Sequence, residues 1–138
     1  MYNRVYLDGI FDLFHRGHLE SIKQCKKLGK EVIIGVISDK DAYNYKRLPI
    51  INENDRAEII RNVKLVDEVI ENAPLNINLE FLEKYNIDVV VHGFADENDY
   101  NKQKNCYEPI EKAGKFKRIE YYSKISTTDI INKINRIN

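Results

Sequence analysis

The run Asp8-Gly9-Ile10-Phe11-Asp12-Leu13-Phe14-His15-Arg16-Gly17-His18 sets two imidazoles around a glycine at the entrance to a helical stretch. A helix entrance offers backbone N–H groups and the positive end of the peptide dipoles, which suits phosphate. Gly17 lets the backbone come close to such a ligand. His15 and His18 can donate hydrogen bonds to phosphate oxygens where charge gathers in a transition state. A second helix entrance, Ser126-Thr127-Thr128, carries three hydroxyls. It serves as a plain helix cap or as another phosphate cradle, and the two roles are compatible. Lys46 lies in the polar run Tyr43-Asn44-Tyr45-Lys46-Arg47. Taken alone it is a solvated lysine; beside a ligand it is a point charge for phosphate.

These residues need a frame to hold them. Residues 4–10 read as a strand that turns at Asp8-Gly9. Leu19, Ile22, Cys25 and Leu28 form an apolar stripe at helical spacing over 17–28. Gly29 is expected to end that helix as a C-terminal cap. Val32 to Ile37 is a continuous apolar run, which suits a strand buried on both faces of a parallel sheet. Residues 53–63 read as a helix capped by Asn52, 66–70 as a strand, 79–85 as a helix and 88–92 as a buried strand. A helix over 105–113 stops at Gly114, and 118–122 is the last strand. Ser126 then caps a final helix, with Asp129 at its third position.

This alternation predicts a single Rossmann-like α/β domain: a parallel sheet flanked by helices. The polar segments 39–52 and 93–104 read as irregular loops beyond the carboxyl ends of strands, where such sheets bind ligands. There is no internal repeat, linker or low-complexity segment.

Composition narrows the function classes. The chain of 138 residues suits one domain. Its 22 Lys and Arg balance 22 Asp and Glu, which argues against nucleic acid or a membrane surface as main partner. The apolar runs are too short for a membrane span, and the N-terminus has no signal-peptide pattern. Cys25 and Cys106 are far apart and not at metal-ligand spacing; two idle thiols in a reducing cytoplasm are expected.

Over nearly its whole length the chain resembles the cytidylyltransferases that act on phosphocholine, phosphoethanolamine and glycerol 3-phosphate. The resemblance rests on Val5 to His18, Lys46, Asn52-Glu53-Asn54-Asp55-Arg56, Val66-Asp67-Glu68-Val69 and Asn72-Ala73-Pro74. It continues through Glu80-Phe81-Leu82, Ile87-Asp88, His92, Ala113-Gly114 and Ile125 to Ile131. The phosphocholine branch is nearest. The resemblance implies that His15 and His18 contact the CTP phosphates and that Lys46 bridges CTP and the acceptor phosphate. It places Gly9, Ile10, Phe11, Gly17, Arg56, His92, Gly93, Lys124, Ser126, Thr127 and Thr128 at the nucleotide. It places Asp39, Lys46, Leu75 and Tyr107 at the acceptor. The implied reaction is in-line attack by the acceptor phosphate on the α-phosphorus of CTP. Mg²⁺ accompanies the CTP, with no metal ligand from the protein assured. A homodimer is also implied, through a stretch like Lys64-Leu65-Val66-Asp67-Glu68.

Two departures leave alternatives open. The family's closing Arg-Thr-Glu-Gly-Ile-Ser-Thr reads Tyr121-Tyr122-Ser123-Lys124-Ile125-Ser126-Thr127 here. A tyrosine does not replace an arginine fork, although Lys124 lies close by to supply charge. Leu75 stands where the phosphocholine branch has a tryptophan, and Gly93 follows His92 where it has an aspartate. Phe94, Asp96 or Tyr100 could rebuild a site for a cationic acceptor. A CTP-binding homologue with little turnover, or an ATP-using adenylyltransferase of the same superfamily, are the other readings.

Overall fold

The computed structural model describes residues 1–137. Five parallel strands form one sheet: β1 (Tyr2–Gly9), β2 (Gly29–Val36), β3 (Glu68–Glu71), β4 (Val89–Gly93) and β5 (Phe116–Ile119), in the order β3-β2-β1-β4-β5. Six helices connect or follow them: α1 (Arg16–Leu28), α2 (Asp39–Tyr45), α3 (Glu53–Arg61), α4 (Leu79–Lys84), α5 (Glu97–Lys112) and α6 (Thr127–Ile137). None of these helices is long and apolar enough to cross a membrane.

Strand alternation divides the core in two. Val5 and Leu7 face one way, with Ile22 and Cys25 of α1 and Ala57 and Ile60 of α3. Tyr6 and Val90 face the other way, with Leu82 of α4 and Tyr107 and Ile110 of α5. Both faces are covered, which is why the strands read as continuous apolar runs. The strand order reverses direction between β1 and β4. In such a sheet the carboxyl ends of those two strands part and leave a crevice for a ligand.

Several boundaries differ from the expected ones. The segment 39–52 is not wholly irregular, because Ser38 caps α2 by accepting from Asp41 N–H at 3.1 Å. Asp39 and Asp41 in its first turn also suit the dipole. Likewise α5 begins at Glu97, not near 105, because Asp96 caps it (Asp99 N–H to Oδ1, 2.8 Å). Strand β3 starts at Glu68, since Val66 N–H is still engaged in a turn with the Val63 carbonyl. Strand β5 lies earlier than expected, at 116–119. Gly29 does not end α1 in a left-handed turn: its backbone is extended (φ −152°) and already opens β2. A glycine is needed there because a Cβ would collide with the Val5 side chain. Gly114, by contrast, does follow α5 in the left-handed region at φ 72°.

Candidate active site

A cavity of about 780 Å³ opens over the carboxyl ends of β1 and β4. His15 is the N-cap of α1, and its geometry follows from the local sequence. Its Nδ1 accepts from Gly17 N–H at 3.0 Å, so the ring folds back over the helix start. A Cβ on residue 17 would sit 2.8 Å from that ring, so only glycine fits beneath it. His18 Nδ1 in turn accepts from His15 N–H at 3.2 Å. The two rings stack with centroids 3.9 Å apart. Phe11 and Phe14 pack against His18 from other sides, at 5.4 and 5.5 Å.

Those hydrogen bonds assign the tautomers. Each Nδ1 is an acceptor, so each neutral ring carries its proton on Nε2. Burial, and then the neighbouring His15, push the His18 pKa down to about 3. Burial lowers that of His15 as well. Two neutral Nε2–H donors can therefore serve a ligand in the cavity at neutral pH.

The wall below them is a buried relay. Tyr107 O–H donates to Asp8 Oδ1 at 2.8 Å, and its oxygen lies 3.0 Å from His92 Nδ1. The tyrosine proton goes to Asp8, so His92 Nδ1–H donates to the tyrosine oxygen. Burial raises the pKa of Asp8 to about 6, against the lowering effect of the Tyr107 bond. Burial also lowers His92 to about 4, so His92 and Asp8 are not an ion pair at neutral pH.

These shifts predict how stability follows pH. His18 and His92 stay neutral in the fold but take a proton near their ordinary 6.5 once unfolded. Their contribution is complete above 6.5 and is lost as pH falls towards about 3 and about 4. Asp8 acts oppositely: it favours the fold below its ordinary 3.8, an effect withdrawn as pH rises through about 6. Two imidazoles outweigh one carboxyl. The melting temperature should therefore fall steadily as pH drops from 6.5 towards 4, and a flat or rising profile by circular dichroism would contradict this.

Most residues expected at the site do line this cavity: Gly9, Ile10, Phe11, His15, Gly17, His18, Lys46, Leu75, His92, Gly93, Tyr107 and Ser126 to Thr128. Lys46 is held at the C-cap of α2, its N–H donating to the Ala42 carbonyl at 2.9 Å. Partial desolvation and then Arg47 lower its pKa. At the other helix entrance, Ser126 and Asp129 form a reciprocal cap at 3.0 and 3.1 Å. Thr127 Oγ1 donates to the Asp12 carbonyl at 3.1 Å, which ties α6 to the loop after β1.

Three expected residues do not line it. Arg56 is 1% exposed beneath the loops, donating to the carbonyls of Ile10, Ile37 and Ile51 and to Asp39 Oδ1. It braces the wall and does not reach a ligand. Asp39 is correspondingly engaged by Arg56 and by Glu53 N–H. Lys124 lines a separate groove with Asp129 and Lys133 of α6 and not this cavity. Sequence reasoning also missed several lining residues: Asp8, Arg47, Asp99, Lys102 and Cys106. Arg47 sits beside Lys46 in the chain and was within reach of a sequence argument. Cys106 is half-buried on the cavity wall, whereas Cys25 is buried in the core.

The fold and the site define a class. This is a nucleotidyltransferase-type Rossmann-like domain, with its imidazole pair at the switch point of the sheet. The sequence matches the family model described as Cytidylyltransferase-like over residues 6–133, and the chain belongs to that family. It is 42% identical over 137 residues to the probable choline-phosphate cytidylyltransferase of Schizosaccharomyces pombe, covering 96% of this chain and 37% of that protein. It is 38% identical over 131 residues to the ethanolamine-phosphate cytidylyltransferase of Dictyostelium discoideum, covering 95% of this chain and 36% of that protein. The chain thus spans little more than a third of the length of these curated relatives. A solved structure, the lipopolysaccharide core biosynthesis protein from Thermoplasma volcanium, superposes with a TM-score of 0.71 at 30% identity. That match covers 89% of this chain and 100% of the other.

Proposed function

We propose that this chain transfers the CMP part of CTP to a small phosphorylated alcohol and releases pyrophosphate. The carrying observation is the stacked His15–His18 pair, neutral and protonated on Nε2, at the start of α1 within the cavity. The family and the relatives' names support CTP over ATP. They also support an acceptor of the phosphocholine, phosphoethanolamine or glycerol 3-phosphate type.

The reaction is a single displacement. An acceptor phosphate oxygen attacks the α-phosphorus of CTP as the bond from that phosphorus to the bridging oxygen of the β-phosphate breaks. The leaving pyrophosphate takes the electron pair. His15 and His18 donate Nε2–H to phosphate oxygens whose charge grows during transfer. The entrances of α1 and α6 hold the triphosphate between them. Lys46 brings the acceptor phosphate in line and offsets its repulsion from the nucleotide. Among the described residues no group of three or more His, Cys, Asp or Glu side chains stands ready for a metal. Asp12 has both carboxylate oxygens engaged by Ile50 and Ile51 N–H. Mg²⁺ would accordingly be held chiefly by the triphosphate and water. Bound so, Mg²⁺ would neutralise charge on the pyrophosphate.

The proposal includes a homodimer and a cytoplasmic location. The likeness of Lys64-Leu65-Val66-Asp67-Glu68 to a stretch near the family's subunit interface supports the first, and two unpaired thiols fit the second.

The test is pyrophosphate release from the pure protein with Mg²⁺, either CTP or ATP, and a panel of phosphorylated alcohols. Release with CTP and an acceptor is expected. Binding of CTP without release for any acceptor would refute transfer, and release with ATP alone would refute the base.

A further inference from the structure

His15 and His18 share the cavity with the third histidine of the chain, His92, at the end of β4. His92 Nδ1 lies 3.8 Å from Asp8 Oδ1, too far for a direct hydrogen bond. The Tyr107 oxygen bridges them, 2.8 Å from Asp8 Oδ1 and 3.0 Å from His92 Nδ1. A proton passing between the imidazole and the carboxyl therefore passes through the phenol. Packing holds the line in place. Tyr107 is buried, with its ring 4.9 Å from that of Phe116, and Phe94 closes on His92 at 4.8 Å.

At neutral pH Asp8 sets the direction of every bond in this line. With a pKa of about 6 it is mostly ionised there, and an ionised carboxylate can only accept. Tyr107 O–H donates to it, and His92 Nδ1–H donates to the tyrosine oxygen. His92 Nε2 then carries a lone pair. Nδ1 is turned inward to Tyr107, so Nε2 is the ring nitrogen left for the cavity. The imidazoles of one cavity thus have opposite polarity: His15 and His18 present N–H, and His92 presents a lone pair.

The neighbours leave this proton path to the three residues. Tyr6 of β1, Tyr45 of α2 and Cys106 of α5 feel the Asp8 charge, but burial raises the pKa of each, and all three stay neutral. Asp99 of α5 acts on His92 by charge, against the larger effect of burial. Lys46, Arg47 and Lys102 line the cavity, and none is ion-paired to Asp8 among the described residues.

We infer that Asp8 and Tyr107 are positioning residues that fix the tautomer of His92, and that protonation of Asp8 converts His92 from a hydrogen-bond acceptor into a third N–H donor facing the cavity. One proton enters from the cavity at His92 Nε2. The Nδ1 proton moves to the Tyr107 oxygen, and the Tyr107 proton moves to Asp8 Oδ1. The line has then gained one proton: Asp8 O–H donates to Tyr107, Tyr107 O–H donates to Nδ1, and Nε2 bears hydrogen. No heavy atom has to move. Between about 6 and about 4 the cavity holds three neutral imidazole donors. Above that range the His92 lone pair repels any phosphate oxygen that carries no proton. The inference holds for any ligand of the cavity and stands apart from CMP transfer.

The test is two-bond proton–nitrogen NMR of the full chain, ligand-free and labelled with ¹⁵N-histidine, each ring assigned by single substitution. Spectra are taken at neutral pH and midway between about 6 and about 4. At neutral pH His92 should show hydrogen on Nδ1, and His15 and His18 on Nε2. At the lower pH the His92 hydrogen should shift to Nε2 with the ring still neutral. Asp8→Asn and Tyr107→Phe should each abolish this dependence on pH. A His92 tautomer that is the same at both pH values in the unmodified chain overturns the inference. A change that survives Asp8→Asn overturns it too, since another group would then drive it. Calorimetry with sulfate, whose charge is constant over this range, reads the consequence. Sulfate should bind roughly tenfold tighter at the lower pH. In Tyr107→Phe the gain should shrink to what neutralising Asp8 gives by charge alone. An equal gain in both proteins would refute the donor role.

Discussion

Replacing His18 by asparagine should lower kcat about 100- to 1000-fold while the protein stays folded. The asparagine carbonyl can occupy the Nδ1 position and still accept from His15 N–H, the bond that caps α1. What it lacks is the donor at Nε2. Glutamine reaches the Nε2 position with an N–H but forgoes the cap, so His18→Gln should recover part of the rate at some cost in stability. The measurements are pyrophosphate release under saturating substrates and thermal melting of each variant. Near-normal kcat in His18→Asn would remove the imidazole pair from the chemistry. The pH profile adds an independent mark. His18, pushed down to about 3, remains a neutral donor throughout the working range and should impose no rate limb near 6.5.

The second large effect is on stability, and it falls on Arg56. The guanidinium is wholly enclosed and gives its N–H groups to four acceptors from three segments. Arg56→Met fills similar volume but leaves three carbonyls and the Asp39 carboxylate without their donor. Breaking a buried charged contact of this kind costs about 3–5 kcal/mol. Against a total of about 5–15 kcal/mol for a domain, that removes a large share of the stability. Urea unfolding should show it as a lower midpoint. Lysine should not rescue it, since a single ammonium cannot span four acceptors set out for a planar fork. A loss below about 1 kcal/mol would mean that the three segments hold together without the brace. The Ile10 carbonyl belongs to the cavity wall, so the folded remainder of Arg56→Met should also bind nucleotide less well.

Much of the fold is legible in the chain. Val32–Ile37 and Val89–Val91 declare buried parallel strands because both faces of each strand must be apolar. The entrance to α1 is legible too, because its hydrogen bonds close within four residues, from His15 to His18. Other segments hide. The stretch from Glu97 to Lys104 is entirely polar apart from Tyr100, so it shows no apolar stripe, and only the Asp96 cap and the packing of Tyr107 and Ile110 further along make it helical. Leu75, where the phosphocholine branch has a tryptophan, still lines the cavity.

By itself, then, the sequence determined the strand alternation, the imidazole pair at the helix entrance and the hydroxyl-bearing cap of α6. The first shows in apolar runs that two covered faces demand, and the other two depend on contacts between residues close in the chain. Tertiary structure decided the rest. It set Tyr107 against Asp8 across 99 positions, drew Arg56 under the loops and turned Lys124 away from the cavity. It also brought Asp99 and Lys46 to the wall of one cavity. The physical reason is that charge and burial depend on neighbours in space. A carboxylate or guanidinium has the same local sequence signature whether it braces the wall or meets the substrate.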